Sequence, residues 1–272
     1  MAIKYLAGER LIGTAAERAA LTTGLTNFED NFNSTTGWTN NGKISVNSGV
    51  ANKLYYNSVP DNETGNHATR ALGITLDDAN WIAEIEWDSL TVNGDGTNPL
   101  FCLFAAGTTT AVKSANQDFI GMALHTTANG PWGGGISVCH KDGTGSYTAH
   151  EADRIVIALS TKYYIRLERT ADVSVRLSIY SDSFGGTHIS GSPETYTIPS
   201  TIGSLNSLIF VDAQTGGGGG GSYITADNLK VWNDATSSTT VYPSLSNGSI
   251  FEESDTGKHY MFDGTSAWNE MT

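Results

Sequence analysis

Three carboxylates recur at alternate positions in Trp81-Ile82-Ala83-Glu84-Ile85-Glu86-Trp87-Asp88. Side chains alternate between the faces of a strand, so Glu84, Glu86 and Asp88 share one face and Trp81, Ala83, Ile85 and Trp87 the other. Two carboxyls about 5–5.5 Å apart suit retaining glycoside hydrolysis, one as nucleophile and one as acid/base. The same three also suit cross-strand ion pairing, because the wet positions of neighbouring strand candidates supply Arg166, Glu168 and Arg176. Ion pairing is a sufficient account of them.

A second group surrounds the loop His125-Thr126-Thr127-Ala128-Asn129-Gly130-Pro131-Trp132-Gly133-Gly134-Gly135. Trp132 sits among glycines and a proline, where core burial is not required, and an exposed indole can stack on a sugar ring. His125, Asn129, His140 and Asp142 can add hydrogen bonds. The alternative is that Trp132 plugs the end of a sandwich, and both readings stand. The histidines otherwise lie in unrelated contexts, with no nucleophile elbow and no paired His-Glu metal motif. Gly216 to Gly221 lacks the Lys-Ser/Thr and following helix of a phosphate loop and reads as a flexible connection.

The elements that must hold these residues are strands. Tyr163, Ile165 and Leu167 alternate with Tyr164, Arg166 and Glu168; Val173, Val175, Leu177 and Ile179 alternate with Ser174, Arg176, Ser178 and Tyr180. Pro99 to Ala106 and Ile155 to Leu159 are continuously apolar, as inner strands are. With 31 glycines in 272 residues and a charged fraction of 16%, turns are plentiful and helix formers sparse. An all-β antiparallel sandwich follows. One short helix is expected at Ala15 to Leu21, with Thr14 and Glu17 as a capping box. Near the C-terminus, Ile250 to Glu253 and Lys258 to Phe262 form a hairpin around Ser254-Asp255-Thr256-Gly257, where Gly257 takes a positive φ. Such a hairpin is marginal alone, and the N-terminal strands and helix are its expected partner.

The net charge of -13 argues against nucleic acid and anionic membranes, which need a basic face. No apolar run reaches the ~20 residues of a bilayer span, and the N-terminus has no secretory signal core, so synthesis in the cytoplasm is expected. Cys102 and Cys139 fall in apolar segments and are expected to be buried free thiols.

Two resemblances refine this reading. The end segments, Ala2 to Arg18 and Asn247 to Trp268, resemble stretches of structural proteins of phages and other prokaryotic viruses. That likeness implies a virion component, homo-oligomeric and contacting other virion proteins. Phe28-Glu29-Asp30-Asn31-Phe32 with Gly37-Trp38, the pair Tyr163 to Arg169 and Val173 to Tyr180, and the closing Ala226 to Asn233 resemble a concanavalin-A-like, laminin-G-like jelly roll. Its first and last strands lie side by side, which suits insertion within another module. The expected division is residues 1–24 and 235–272 as two halves of an anchor module, with residues 25–234 as the sandwich.

The virion resemblance assigns the anchor or subunit contact to Phe251, Tyr260, Phe262 and Trp268, with Tyr5 and Leu6 opposite. The jelly-roll resemblance implies a calcium ion near the first and last strands, held by Asp30 and Asp227; Asp227-Asn228 also reads as a turn. Jelly-roll endoglucanases show Glu-x-Asp and then a second Glu, an order that differs from Glu84-x-Glu86-x-Asp88. The reading is a virion protein displaying a lectin-like domain for host glycan attachment, with a polysaccharide hydrolase as the alternative.

Overall fold

The computed structural model describes residues 4–6, 10–16, 18, 28–59, 65–93, 99–125, 134–158, 160–212, 221–233, 248–263 and 267–271. The expected division points near residues 24 and 234, the Gly216 to Gly220 run and Glu17 lie outside them. The chain begins with β1 (Lys4–Leu6) and β2 (Arg10–Gly13). The first half of the middle region holds β3 (Phe28–Asp30), β4 (Thr39–Asn41), β5 (Ile44–Val46), β6 (Leu54–Val59), β7 (His67–Leu76), β8 (Trp81–Asn93), β9 (Pro99–Ala105) and β10 (Phe119–His125). Next come β11 (Gly135–Lys141), β12 (Thr148–Ala149), β13 (Ile155–Val156), β14 (Lys162–Ala171), β15 (Ser174–Tyr180), β16 (Glu194–Thr197), β17 (Leu205–Asp212) and β18 (Gly221–Trp232). The last three are β19 (Ile250–Glu253), β20 (His259–Phe262) and β21 (Trp268–Glu270).

Strands β3 to β18 form an antiparallel jelly-roll sandwich. One layer runs β12-β11-β10-β9-β17-β7 and the other β6-β18-β8-β14-β15-β16, joined through the short β4 and β5. The alternation in β8, β14 and β15 sends Trp81, Ala83, Ile85, Trp87, Ile165, Leu167, Val175, Leu177 and Ile179 into one shared core. Ring pairs cross between the layers: Trp81 lies 4.9 Å from Phe104 and Trp87 lies 4.0 Å from Phe101. Each such pair is worth about 1 kcal/mol beyond its buried area. Val173 departs from the expected alternation, lying 44% exposed in the turn before β15.

The apolar run Pro99 to Ala106 has a specific cause. Leu100, Leu103 and Ala105 face a second core with Phe119, Cys139 and Ile209, so β9 is covered on both sides. Cys102 is the extra residue of a bulge, with φ 48°, and the pairing of β9 with β10 and β17 shifts register around it. Both thiols are free and buried, and burial pushes both well above the ordinary cysteine range.

The first and last strands of the sandwich are neighbours, with Glu29 opposite Lys230 and Phe28 opposite Val231. The two ends of the chain meet in a separate five-stranded sheet, ordered β1-β2-β19-β20-β21, in which β19 runs parallel to β2. Leu11, Phe251, Tyr260, Phe262 and Trp268 form its core. Ala15, Ala16 and Arg18 are helical, and the Ala15 amide donates to the Asp255 carboxylate at 3.0 Å. A residue of the C-terminal hairpin thus caps the N-terminal helix. Gly257 has φ 72° and donates to Glu253 O at 2.8 Å, as the hairpin turn requires.

Candidate functional site

Register turns the outward faces of β3, β18, β8, β14 and β15 into rows of facing side chains. In one row Glu29 faces Lys230, Lys230 faces Glu84, Glu84 faces Arg166 and Arg166 faces Ser178. Signs alternate along this row. Lys230 Nζ lies 3.4 Å from Glu29, while Arg166 gives Glu84 Oε1 its Nε at 2.7 Å and its Nη2 at 2.5 Å. The next row sets Asp227 opposite Glu86, Glu86 opposite Tyr164 and Tyr164 opposite Tyr180. Beyond it Lys162 faces Asp88 and reaches diagonally to Glu86 at 2.5 Å. On the other flank Arg176 donates through Nε to Glu168 at 2.8 Å.

The inner members of this network are buried. Glu84 is 4% and Arg166 5% exposed. Burial pushes the Glu84 carboxyl above the ordinary range, and Arg166 and then Lys230 pull it back. The Glu86 carboxylate holds Lys162 above the usual lysine value, against the opposing effect of burial.

A groove of about 500 Å³ opens over this face. Its charged walls are Glu29, Glu84, Glu86, Arg166 and Lys230; Asn228, Phe184 and Trp232 complete it. Phe184 projects from the loop after β15 and meets Tyr164 edge-on at 5.3 Å. That loop is pinned because Asp182 Oδ1 accepts the Ser183 and Thr187 amides, each at 2.8 Å. Two smaller cavities adjoin. One of about 300 Å³ lies against Asn31, Asn33, Ser34 and Thr36 and shares Glu29. The other, about 80 Å³, lies among Lys53, Asp88, Lys162 and Asp227 and shares Glu86.

Of the expected carboxylates, Glu84 and Glu86 line the groove and Asp88 its smaller neighbour. The expected pairing partners are present: Arg166 on Glu84, and Arg176 on Glu168. Phe184, Asn228, Lys230 and Trp232 escaped the sequence reading. Asn228, Lys230 and Trp232 alternate along the closing strand, and Phe184 is an aromatic in a Ser-Asp-Ser-Phe-Gly-Gly turn. Both were visible patterns.

The loop site fares differently. Asn129 and Trp132 lie outside the described residues. His125 is buried and bonded to Ser137 Oγ at 2.7 Å. His140 is buried five residues further along the β10–β11 pair, about 17 Å away, and Asp142 accepts from Thr201. Among the described residues of this group, His125, His140 and Asp142 do not meet at one surface point.

Asp30 and Asp227 are occupied by protein donors. Asp30 accepts from Trp38 Nε1 at 2.8 Å, from the Phe32 amide at 2.6 Å and from Arg70; Asp227 accepts from the Asn228 amide at 2.8 Å and from Lys53. Among the described residues no group of three or more His, Cys, Asp or Glu is placed to hold a metal ion. Phe251, Tyr260, Phe262 and Trp268 are turned into the core of their own module, so their side chains do not form its surface. Tyr5 and Leu6 are in β1, and their side chains lie outside the description.

No family model and no curated protein matches the chain. Among solved structures it is similar to the CBM2 module of the evolved Dit of Lactobacillus casei BL23 phage J-1, with a TM-score of 0.46 and 12% identity over 78% of this chain and 96% of that one. It is similar to the alginate lyase Aly36B in complex with alginate tetrasaccharide, with a TM-score of 0.45 and 13% identity over 77% and 98%. The ligand-binding domain of Botulinum neurotoxin serotype D in complex with N-acetylneuraminic acid gives a TM-score of 0.48 and 8% identity over 81% and 50%.

Proposed function

We propose that this chain is a structural component of a virion whose sandwich binds a glycan of the host surface in the groove over β18, β8 and β14. The groove carries the reading: fixed donors and acceptors, set in cross-strand ion pairs, converge beside the aromatic rings of Phe184 and Tyr164. A polyol needs such an arrangement, with directed hydrogen bonds to hydroxyls and an apolar wall for the ring's C–H face. Binding is favoured over hydrolysis because Arg166 and Lys162 already engage the Glu84 and Glu86 carboxylates. The test is a glycan array with Phe184→Ala and Lys230→Ala beside the parent chain. Selective binding that both substitutions weaken supports the reading. Unchanged binding in both variants sinks this site, and release of reducing sugar that Glu84→Gln abolishes favours the hydrolase.

The virion role rests on the resemblance of the end segments, and the five-stranded module they build is the natural anchor. Its core residues face inward, so attachment falls to the opposite face, where Met261 and Met271 are 41% and 43% exposed. Met261→Asp with Met271→Asp is expected to leave a folded, soluble chain that no longer joins particles or its own copies. Normal incorporation of that double variant would remove the anchor assignment.

A further inference from the structure

The three cavities adjoin one another through shared side chains. The cavity at Asn31–Thr36 and the central groove have the Glu29 side chain as a common wall, and the central groove and the cavity at Lys53 have Glu86. From β3 across β18 and β8 to β14 is three inter-strand steps, about 14 Å, and the loop beyond β3 extends it. That length exceeds one pyranose ring. A pocket for a chain end would close around a single ring, whereas the central groove spans four strands and adjoins a further cavity past Glu29. The cavity at Lys53 lies alongside it, displaced along β18, β8 and β14.

Its charge pattern selects among polymers. Each cation along it faces a carboxylate: Arg70 with Asp30, Lys230 with Glu29, Arg166 with Glu84, Lys162 with Glu86, and Lys53 with Asp227. An anionic sugar would have to break one of these pairs and also approach a chain of net charge -13. At the β3 end, Asn31, Asn33, Ser34 and Thr36 offer uncharged amide and hydroxyl groups.

Building on glycan binding in the central groove, we infer that the ligand is an internal stretch of a linear, uncharged polysaccharide, lying across β3, β18, β8 and β14 in at least three consecutive subsites. Asn31–Thr36 hold one end, Glu29 and Lys230 the middle, and Phe184 with the Glu84–Arg166 pair the other end.

The experiment uses the full chain in two stages. An array of linear uncharged, uronate-containing and sialylated glycans identifies the preferred class. Titration calorimetry then follows its oligomers from two to six sugars. Affinity is expected to rise by roughly tenfold or more between disaccharide and tetrasaccharide, which is ~1.4 kcal/mol. Ser34→Trp and Thr36→Trp, on an exposed loop, are expected to return the tetrasaccharide to the disaccharide's affinity. A flat length series, indifference of the tetrasaccharide to both substitutions, or preference for the anionic glycans overturns the extended uncharged cleft while glycan binding stands. An array silent for every class overturns both.

Discussion

Arg18 Nε lies 2.6 Å from Oε1 of Glu253, an ion pair between residues 235 positions apart. The guanidinium also lies over the Tyr260 ring, 3.7 Å from its centroid, and Glu253 is 1% exposed. Beside it the Ser254 amide donates to Gly13 O at 2.7 Å and Asp255 caps the helix at Ala15. The terminal module therefore forms only when both ends of the chain are present. A sandwich whose first and last strands pair presents its ends together, which makes that closure cheap in chain entropy.

Glu253→Gln tests this closure. Burial alone would raise the Glu253 carboxyl, but the bonds from Thr256 and Arg18 hold it below the ordinary range. A depressed carboxylate stabilises the fold above its unfolded value of about 4.3, and that contribution is lost as pH falls through the lower folded value. Glu253→Gln is expected to cost the module about 2 kcal/mol at pH 7, with Arg18 still partly hydrated. Hydrogen exchange at Leu11 and Phe251 should quicken while the amides of β8 and β14 keep their protection. Unchanged exchange at the ends would show the pair to be incidental.

The Glu84–Arg166 pair lends itself to a double-mutant cycle. Both side chains are 6% exposed, so removing Arg166 strands a buried carboxyl. Arg166→Met is expected to destabilise by about 3 kcal/mol in denaturant unfolding, and Glu84→Leu combined with Arg166→Met to recover most of that loss. Equal destabilisation in the single and double variants would mean that packing, not charge, sets the cost.

Strand alternation made much of this face legible. Glu84, Glu86 and Asp88 were expected on one side of β8 and Trp81, Ala83, Ile85 and Trp87 on the other, and the core and groove divide them in that way. Pairing order is a tertiary property, so period two could not say that β18 lies between β3 and β8. Lys230 and Trp232 were therefore not connected to Glu84. The second core under β9, β10 and β11 has the same origin: an apolar run shows burial on both faces but not what covers them. His125 and His140 look alike as polar residues near a loop, yet both point inward, because a single histidine in an apolar strand carries no sign of direction.

Gly42→Ala probes the short link between the layers. Gly42 has φ 65°, and a Cβ there would stand 2.2 Å from Gly65 O and 2.3 Å from Asn66 Oδ1. That Asn66 oxygen accepts the Lys43 amide at 2.9 Å, so it cannot yield without losing a hydrogen bond. The φ strain alone costs about 1 kcal/mol, and the clash with backbone adds to it. A loss of more than about 2 kcal/mol in thermal or denaturant unfolding is expected. Gly73→Ala is the control, with the same kind of backbone, φ 74°, and no heavy atom within 4 Å of the added carbon. Matching losses in the two variants would rule out the clash.

His140 is expected to make the fold sensitive to mild acid. Its ring lies 5.3 Å from that of His150, and the buried Nδ1 of His140 and Nε2 of His150 have no partner among the described residues. Burial first, and then the neighbouring His150, lower His140 to about 4, with Asp142 opposing; burial lowers His150 too, with Asp153 opposing. The unfolded chain takes up protons near pH 6.5, whereas the folded one resists until about pH 4. Between those values the unfolded state binds more protons, so stability falls as pH falls. Across that window His140 alone is expected to remove on the order of 3 kcal/mol. His140→Leu, which takes away the titrating ring and the unpaired nitrogen together, should flatten the profile of Tm against pH from 6.5 to 4. A variant profile parallel to the parent's would assign the acid sensitivity to the carboxylates instead.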